Sequence, residues 1–236
     1  MIPMYTLRIQ RQDTPHTAPY WQEFLYNGTG DDSIATALRT LNEHTPLQTK
    51  DGREVSPIGW QCSCMVRKCG ACAMVINGLP RLACAAFFRE FRKSTITIAP
   101  LRKFPVVRDL IVNRTILHTL MKQLNVWRTT ESHPSLWTQE LHRQSSRCLL
   151  CGCCLEICPN FDGQPNFAGA LAPVNAFRIL DGTSCDHHIQ KNMKEYSRLY
   201  YESCGHSLSC QDICPAHIPI EELLAHSNAK AIWHKP

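Results

Sequence analysis

The sequence predicts an α+β chain, with a β-rich first part and an all-α second part. Three observations carry this. Up to about residue 104, short segments alternate apolar and polar residues. Beyond Pro105, apolar residues recur at helical spacing. Cysteine, fourteen residues in all, gathers in three tight groups that respect the same division. A chain of 236 residues is long enough for two ordinary domains, and the expected division is 1–104 and 105–236.

The elements follow in order. Tyr5–Arg11 alternates and reads as a strand, and Trp21–Tyr26 as a second, with "NGTG" turning after it. "DDSIATALRTLNE" predicts a helix capped by Asp32 or Ser33, with Ile34, Leu38 and Leu41 on one face. Cys72–Cys84 reads as two short strands around an Asn77-Gly78 turn, and Ser94–Leu101 as a strand in which Ile96 and Ile98 alternate. Helical patterns then occupy "VVRDLIVNRTILHTLMKQL", "FAGALAPVNAFRIL", "QKNMKEYSRLYY" and "IEELLAHSNAKAIW". The sequence shows no internal repeat and no low-complexity segment.

Hydrophobic residues make up 44% of the chain, enough for one core or two small ones, and the formal charge is +5. The basic residues are scattered as solvated surface charge, so no nucleic-acid partner is expected. No signal peptide and no apolar run of membrane-spanning length is read, so any membrane contact is expected to come through a partner. Without a secretory signal, a disulfide framework is disfavoured.

The first cysteine group is "CSCMVRKCGACAMVINGLPRLAC". From Cys64 the spacing is C-x4-C-x2-C, through Cys69 and Cys72, with Cys84 returning after the hairpin. This is the plant-type ferredoxin spacing for a [2Fe–2S] cluster, whose iron favours soft anionic ligands. A four-thiolate zinc site would use two C-x2-C knuckles, and here there is one. Gly70 is expected to let backbone N–H groups turn toward the sulfurs, while Cys62 is expected as a small buried hydrophobe.

The second group is "CLLCGCCLEICP". Cys148, Cys151, Cys154 and Cys158, followed by Pro159, match C-x2-C-x2-C-x3-C-P, the run of two-cluster bacterial ferredoxins in which the fourth cysteine serves the other cluster. The third group, "CGHSLSCQDICP", supplies Cys204, Cys210 and Cys214, with Ser207 where a second cysteine would stand. Cross-ligation gives Cys148, Cys151, Cys154 and Cys214 to a [4Fe–4S] cluster. Cys158, Cys204 and Cys210 remain for a second site. A serine hydroxyl is a harder and far less acidic ligand than a thiol, so this site is expected to hold [3Fe–4S]; a [4Fe–4S] cluster closed by Ser207 or water is the alternative. Cys153 is off the spacing and reads as packing, Cys185 stands alone, and the His187-His188 pair reads as exposed loop residues.

No dinucleotide fingerprint, nucleophile elbow or zincin helix is present. A chain with three clusters and no substrate machinery reads as an electron relay. The order of its clusters, "CGACAMVING" with "LAC", "FPVVRDLIVN" and the two cysteine runs resemble the iron–sulfur subunit of succinate dehydrogenase and fumarate reductase, the respiratory complex II family. The resemblance implies an N-terminal plant-type ferredoxin-like β-grasp domain and a C-terminal bacterial-ferredoxin-like helical domain. It implies a flavoprotein subunit carrying FAD and a membrane anchor that binds quinone, with this chain on the cytoplasmic side of the membrane, held there by the anchor. It also implies that the chain is not catalytic alone, and places Pro159, Gly163 and Ser207 near the quinone. Ubiquinone-type members carry a tryptophan a few residues after the second-domain "CP". Here that stretch is "CPNFDGQPNF" with Gly163 near the place, which resembles menaquinone-linked fumarate reductases. The other expectation is the same module serving a soluble, quinone-free flavoenzyme such as a thiol-dependent fumarate reductase.

Overall fold

The computed structural model describes residues 4–44, 46–127, 136–181 and 187–233. The chain divides into two compact units, Met1–Asn113 and Arg114–Pro236.

The first unit is built on a five-stranded sheet whose strands lie side by side in the order Tyr20–Asn27, Met4–Arg11, Thr95–Ala99, Ala73–Ile76 and Leu79–Leu82. Strand β1 (Met4–Arg11) pairs antiparallel with β2 (Tyr20–Asn27) and parallel with β7 (Thr95–Ala99). Leu7 and Ile9 sit opposite Ile96 and Ile98 in the parallel register, and all four are fully buried. Alternation puts the intervening Arg8 on the other face, where its guanidinium lies over the Trp21 ring. Helix α1 (Ile34–Glu43) buries Ile34, Leu38 and Leu41 and is capped by Ser33, whose Oγ accepts the Thr36 N–H at 3.1 Å. Two short strands, β3 (Leu47–Gln48) and β4 (Glu54–Val55), form a small ribbon. Strands β5 (Ala73–Ile76) and β6 (Leu79–Leu82) form the expected hairpin. Both turn residues, Asn77 and Gly78, have positive φ, and Asn77 Oδ1 accepts the Thr97 N–H at 2.8 Å.

The expected helix starting at Val106 is not there. Val106–Arg108 (β8) and Ile111–Val112 (β9) instead pair antiparallel, and helix α2 (Thr115–Gln123) starts only afterwards. Asp109 turns this ribbon at φ +48. Its buried carboxylate accepts from Arg11 Nε at 2.9 Å, from the Gln12 N–H at 3.1 Å and from the Gly59 N–H at 2.7 Å. The turn is thus fixed by a long-range ion pair that helical periodicity cannot reveal.

Within the described residues the second unit is helical. After α2 come α3 (Gln139–Ser145), α4 (Cys153–Ile157), α5 (Leu171–Leu180), α6 (His187–Tyr196), α7 (Ser209–Ile213) and α8 (Ile220–Asn228). Wider π-helical turns, Ser197–Tyr201 and Ala229–Trp233, extend α6 and α8. Helix α5 is the centre of the unit. Its Val174 and Phe177 pack with Leu141, Ile218, Ile220 and Leu223. At its end Asp181 accepts the Thr138 hydroxyl at 2.6 Å and lies 2.8 Å from His142 Nε2, which ties α3 to α5. His187 and His188 open α6 rather than lying in a loop.

Replacing Arg11 by Met leaves the Asp109 carboxylate buried without its cation. Breaking a buried pair on one side costs about 3–5 kcal/mol. Urea unfolding of the Arg11→Met chain is expected to show a correspondingly lower midpoint with an unchanged slope.

Candidate metal centres

The first cysteine loop is shaped by residues of left-handed backbone. Met65, Arg67 and Gly70 have φ of 56°, 63° and 73°. Such alternation curls successive N–H groups toward one side, as in an anion-binding nest. Cys64 Sγ accepts the Val66 N–H at 3.4 Å and the Lys68 N–H at 3.2 Å, and these two bonds lower its thiol pKa to about 7. Cys72 precedes β5 and Cys84 lies on the 3-10 turn Ala83–Ala85 after β6, so the hairpin returns the second sulfur to 3.4 Å from the first. Burial pushes the Cys72 thiol up to about 12. A neutral thiol is favoured there chiefly because the thiolate is desolvated, with Cys84 and Cys69 adding to the effect, and a bound cation reverses that preference. Cys69 is half-buried. Cys62, expected inside, is exposed: it lies on the irregular approach to the loop, in a groove with Arg39, Asn42, Glu43, Trp60 and Gln61.

In the second unit, Cys148, Cys151 and Cys154 line one cavity together with Cys214, although Cys214 belongs to the other run. The rest of the wall is mainly apolar, including Leu150, Val174, Ile218 and Ile220. Burial raises the Cys148 thiol, and raises the Cys154 thiol well above its ordinary value, with neighbouring Cys151, Cys148 and Cys214 adding to the second effect. Hydrogen bonding from Cys153 lowers Cys151 to about 7. Cys153 itself is completely buried, as expected for a packing residue.

The remaining sulfurs also gather. Burial pushes Cys210 up to about 11, with neighbouring Cys158 and Cys204 adding to the effect. Cys204 Sγ lies 3.4 Å from the Tyr200 hydroxyl. Ser207 is exposed, and its Oγ is 3.5 Å from Ser209 Oγ. Asn160 Nδ2 donates to the Ser203 carbonyl at 2.5 Å, which holds the segment after Pro159 beside this loop.

The two runs, paired in the sequence by their cysteine spacing, also share a backbone conformation. Leu150 and His206 have φ of 49° and 50°, and Gly152 and Leu208 have φ of 88° and 54°. Each run then forms a five-residue helix, α4 or α7, and ends on an extended cysteine, Cys158 at φ −67°, ψ 123° or Cys214 at φ −66°, ψ 113°. In this pairing Ser207 stands for Cys151 and Ser209 for Cys153. The first of these matches the position that the cysteine spacing gives to Ser207.

Among the described residues no three Cys, His, Asp or Glu side chains converge as ligands of a single metal ion. The sulfurs of Cys148, Cys151, Cys154 and Cys214 instead surround one mainly apolar cavity, which fits an iron–sulfide group with thiolate ligands at its corners. Cys185 lies outside the described residues.

Residues 6–119 match the model of a 2Fe-2S iron-sulfur cluster binding domain. The chain is 33% identical to the succinate dehydrogenase iron-sulfur subunit of Bacillus subtilis, over 93% of this chain and 89% of that one. It belongs to the succinate dehydrogenase/fumarate reductase iron–sulfur subunit family. The fumarate reductase iron-sulfur subunit of Wolinella succinogenes is 26% identical over 97% and 98% of the two chains. A chain of the Mycobacterium smegmatis Sdh1 complex in the apo form shares the fold, with a TM-score of 0.77 at 21% identity over 99% of this chain and 98% of that one. An iron–sulfur subunit of this family transfers electrons within an oxidoreductase complex and is not catalytic alone. Among the described residues no helix is long and apolar enough to cross a membrane.

Cys64→Ser removes a thiolate from the first loop and is expected to abolish or distort the EPR signal of the reduced [2Fe–2S] cluster. Cys153→Ser changes a packing residue and should leave the signals of all clusters in place; disappearance of the [4Fe–4S] signal in that variant would contradict the ligand assignment.

Proposed function

We propose that this subunit relays electrons between the FAD of a flavoprotein subunit and a quinone bound by a membrane anchor, through three clusters. Cys64, Cys69, Cys72 and Cys84 hold [2Fe–2S] within residues 1–104. Within residues 105–236, Cys148, Cys151, Cys154 and Cys214 hold [4Fe–4S], and Cys158, Cys204 and Cys210 hold [3Fe–4S]. The observation that carries this reading is the cavity in which Cys214 joins the three sulfurs of the other run. Such a pairing is what exchange of fourth ligands between two runs requires.

The clusters, when bound, supply one-electron carriers. The polypeptide supplies the rest. Its thiolates fix the positions, backbone N–H groups at Cys64 offset charge on sulfur, and the apolar wall around Cys148 and Cys154 keeps water out. Exclusion of water and hydrogen bonding to sulfur both set the potential at which a centre accepts an electron.

The quinone is menaquinone-like and the physiological direction is fumarate reduction, with the subunit attached peripherally on the cytoplasmic side. Pro159, Gly163 and Ser207 face that partner. Gly163 supports the menaquinone reading through its backbone. It has φ +86, and the Gln164 N–H after it is held by Asp162 Oδ1 at 2.9 Å. A tryptophan would enter that left-handed conformation with strain of about 1–2 kcal/mol. The position therefore offers backbone groups to a partner rather than an indole N–H.

The isolated, cluster-loaded chain is expected to show no succinate oxidation with an artificial dye, and the assembled complex to turn over menaquinol analogues faster than ubiquinol analogues. Dye reduction by the chain alone, or equal turnover with ubiquinol, would count against the proposal.

Ser207→Cys supplies the thiolate that the second run lacks. The variant is expected to take up a fourth iron, lose the EPR signal of the oxidised [3Fe–4S] cluster and shift that site to lower potential, with slower turnover. If wild-type protein purified without air lacks the three-iron signal, Ser207 or water closes a four-iron cluster instead.

A further inference from the structure

Cys204 has a polar neighbour that the ligand assignment does not use. The Tyr200 hydroxyl lies 3.4 Å from Cys204 Sγ. Tyr200 is only 2% exposed. Its ring is stacked on Phe167, with centroids 6.2 Å apart and planes 11° apart, and lies 5.2 Å from the Tyr196 ring. The hydroxyl is therefore held where it is by its ring and cannot swing out to bulk water. The backbone holds it as well. Tyr200 lies in the π-helical stretch Ser197–Tyr201, one residue from its end, and its carbonyl accepts both the Ser203 N–H at 3.1 Å and the Cys204 N–H at 2.9 Å. Residues four apart are so joined by a main-chain bond and a side-chain contact at once. Cys148, which holds the corresponding place in the first run, meets the Asn175 side chain instead.

The polarity of the contact depends on what the sulfur carries. A free Cys204 thiol can donate to the phenol oxygen. A thiolate bound to iron has no proton, so the phenol O–H becomes the donor. We propose that Tyr200 is a positioning residue that donates a hydrogen bond to the iron-bound Cys204 sulfur and thereby raises the reduction potential of the centre Cys204 ligates. A donor to the sulfur withdraws charge, and this stabilises the reduced, more negative state more than the oxidised one. The inference rests on the reading of Cys204 as a cluster ligand.

The experiment is an EPR-monitored redox titration of the assembled complex. Cys204→Ala first identifies the cluster signal to be followed, as the one it abolishes. Tyr200→Phe keeps the ring and removes the donor. It is expected to raise the oxidised-to-reduced ratio at a given potential about tenfold, a downward shift of about 59 mV for a one-electron centre. Tyr196→Phe, whose hydroxyl bonds Asn228 Oδ1 at 2.7 Å rather than a sulfur, should leave the midpoint in place. Fluorotyrosine placed at position 200, a more acidic donor, should move it upward, and this also serves if Tyr200→Phe does not assemble. An identified signal whose midpoint moves neither with fluorotyrosine nor with Tyr200→Phe overturns the inference alone. A Cys204→Ala complex that retains every cluster signal overturns the ligand reading along with it.

Discussion

The first unit depends on one buried ion pair. Arg11 ends the interior strand β1, and Asp109 turns the β8–β9 ribbon; their side chains are 1% and 0% exposed. Arg11 also donates to Gln22 Oε1 at 2.9 Å on β2 and to the Ser56 carbonyl at 3.1 Å. The other carboxylate oxygen of Asp109 takes the Gly59 N–H. Between these two contacts, Ile58 exchanges backbone bonds with the Asn42 side chain of α1, at 2.8 and 2.9 Å. The segment that enters the first cysteine loop is thus tied to the sheet, to the helix and to the closing ribbon. A buried charge left without these partners would cost several kcal/mol, so the arrangement is strongly specified once it forms.

The second unit is organised around sulfur. Helices α4 and α7 are five residues each, far below the length at which a helix is stable by itself. Both follow left-handed residues, one of them Leu208, which prefers other conformations. Local propensity therefore does not explain these runs. Packing on α5 and the convergence of cysteines do, and a metal group that binds the folded arrangement stabilises it in proportion.

Much of this was legible in the sequence, for identifiable reasons. Thiolate chemistry constrains spacing tightly, so the cysteine runs announced their grouping before any fold was known. The strands at Tyr5–Arg11 and Ser94–Leu101 and the Asn77-Gly78 turn were legible because alternation and paired positive φ are local properties. The β8–β9 ribbon was not, because its apolar residues happen to match helical spacing and its turn is set by Arg11, far away in sequence. Cys62 was misplaced because residue type says little about exposure in an irregular segment. Cysteine spacing paired the two runs, but their shared backbone was not legible, because His206 and Leu208 match Leu150 and Gly152 in conformation and not in chemistry.

The cavity shared by Cys148, Cys151, Cys154 and Cys214 has a consequence for the order of assembly. Three of its sulfurs leave the ribosome early in the second half of the chain, and the fourth arrives only after α5, α6 and the Tyr200 turn have been made. Until then the first run lines only part of that wall. The four-sulfur wall is therefore complete only once the chain has been made as far as Cys214.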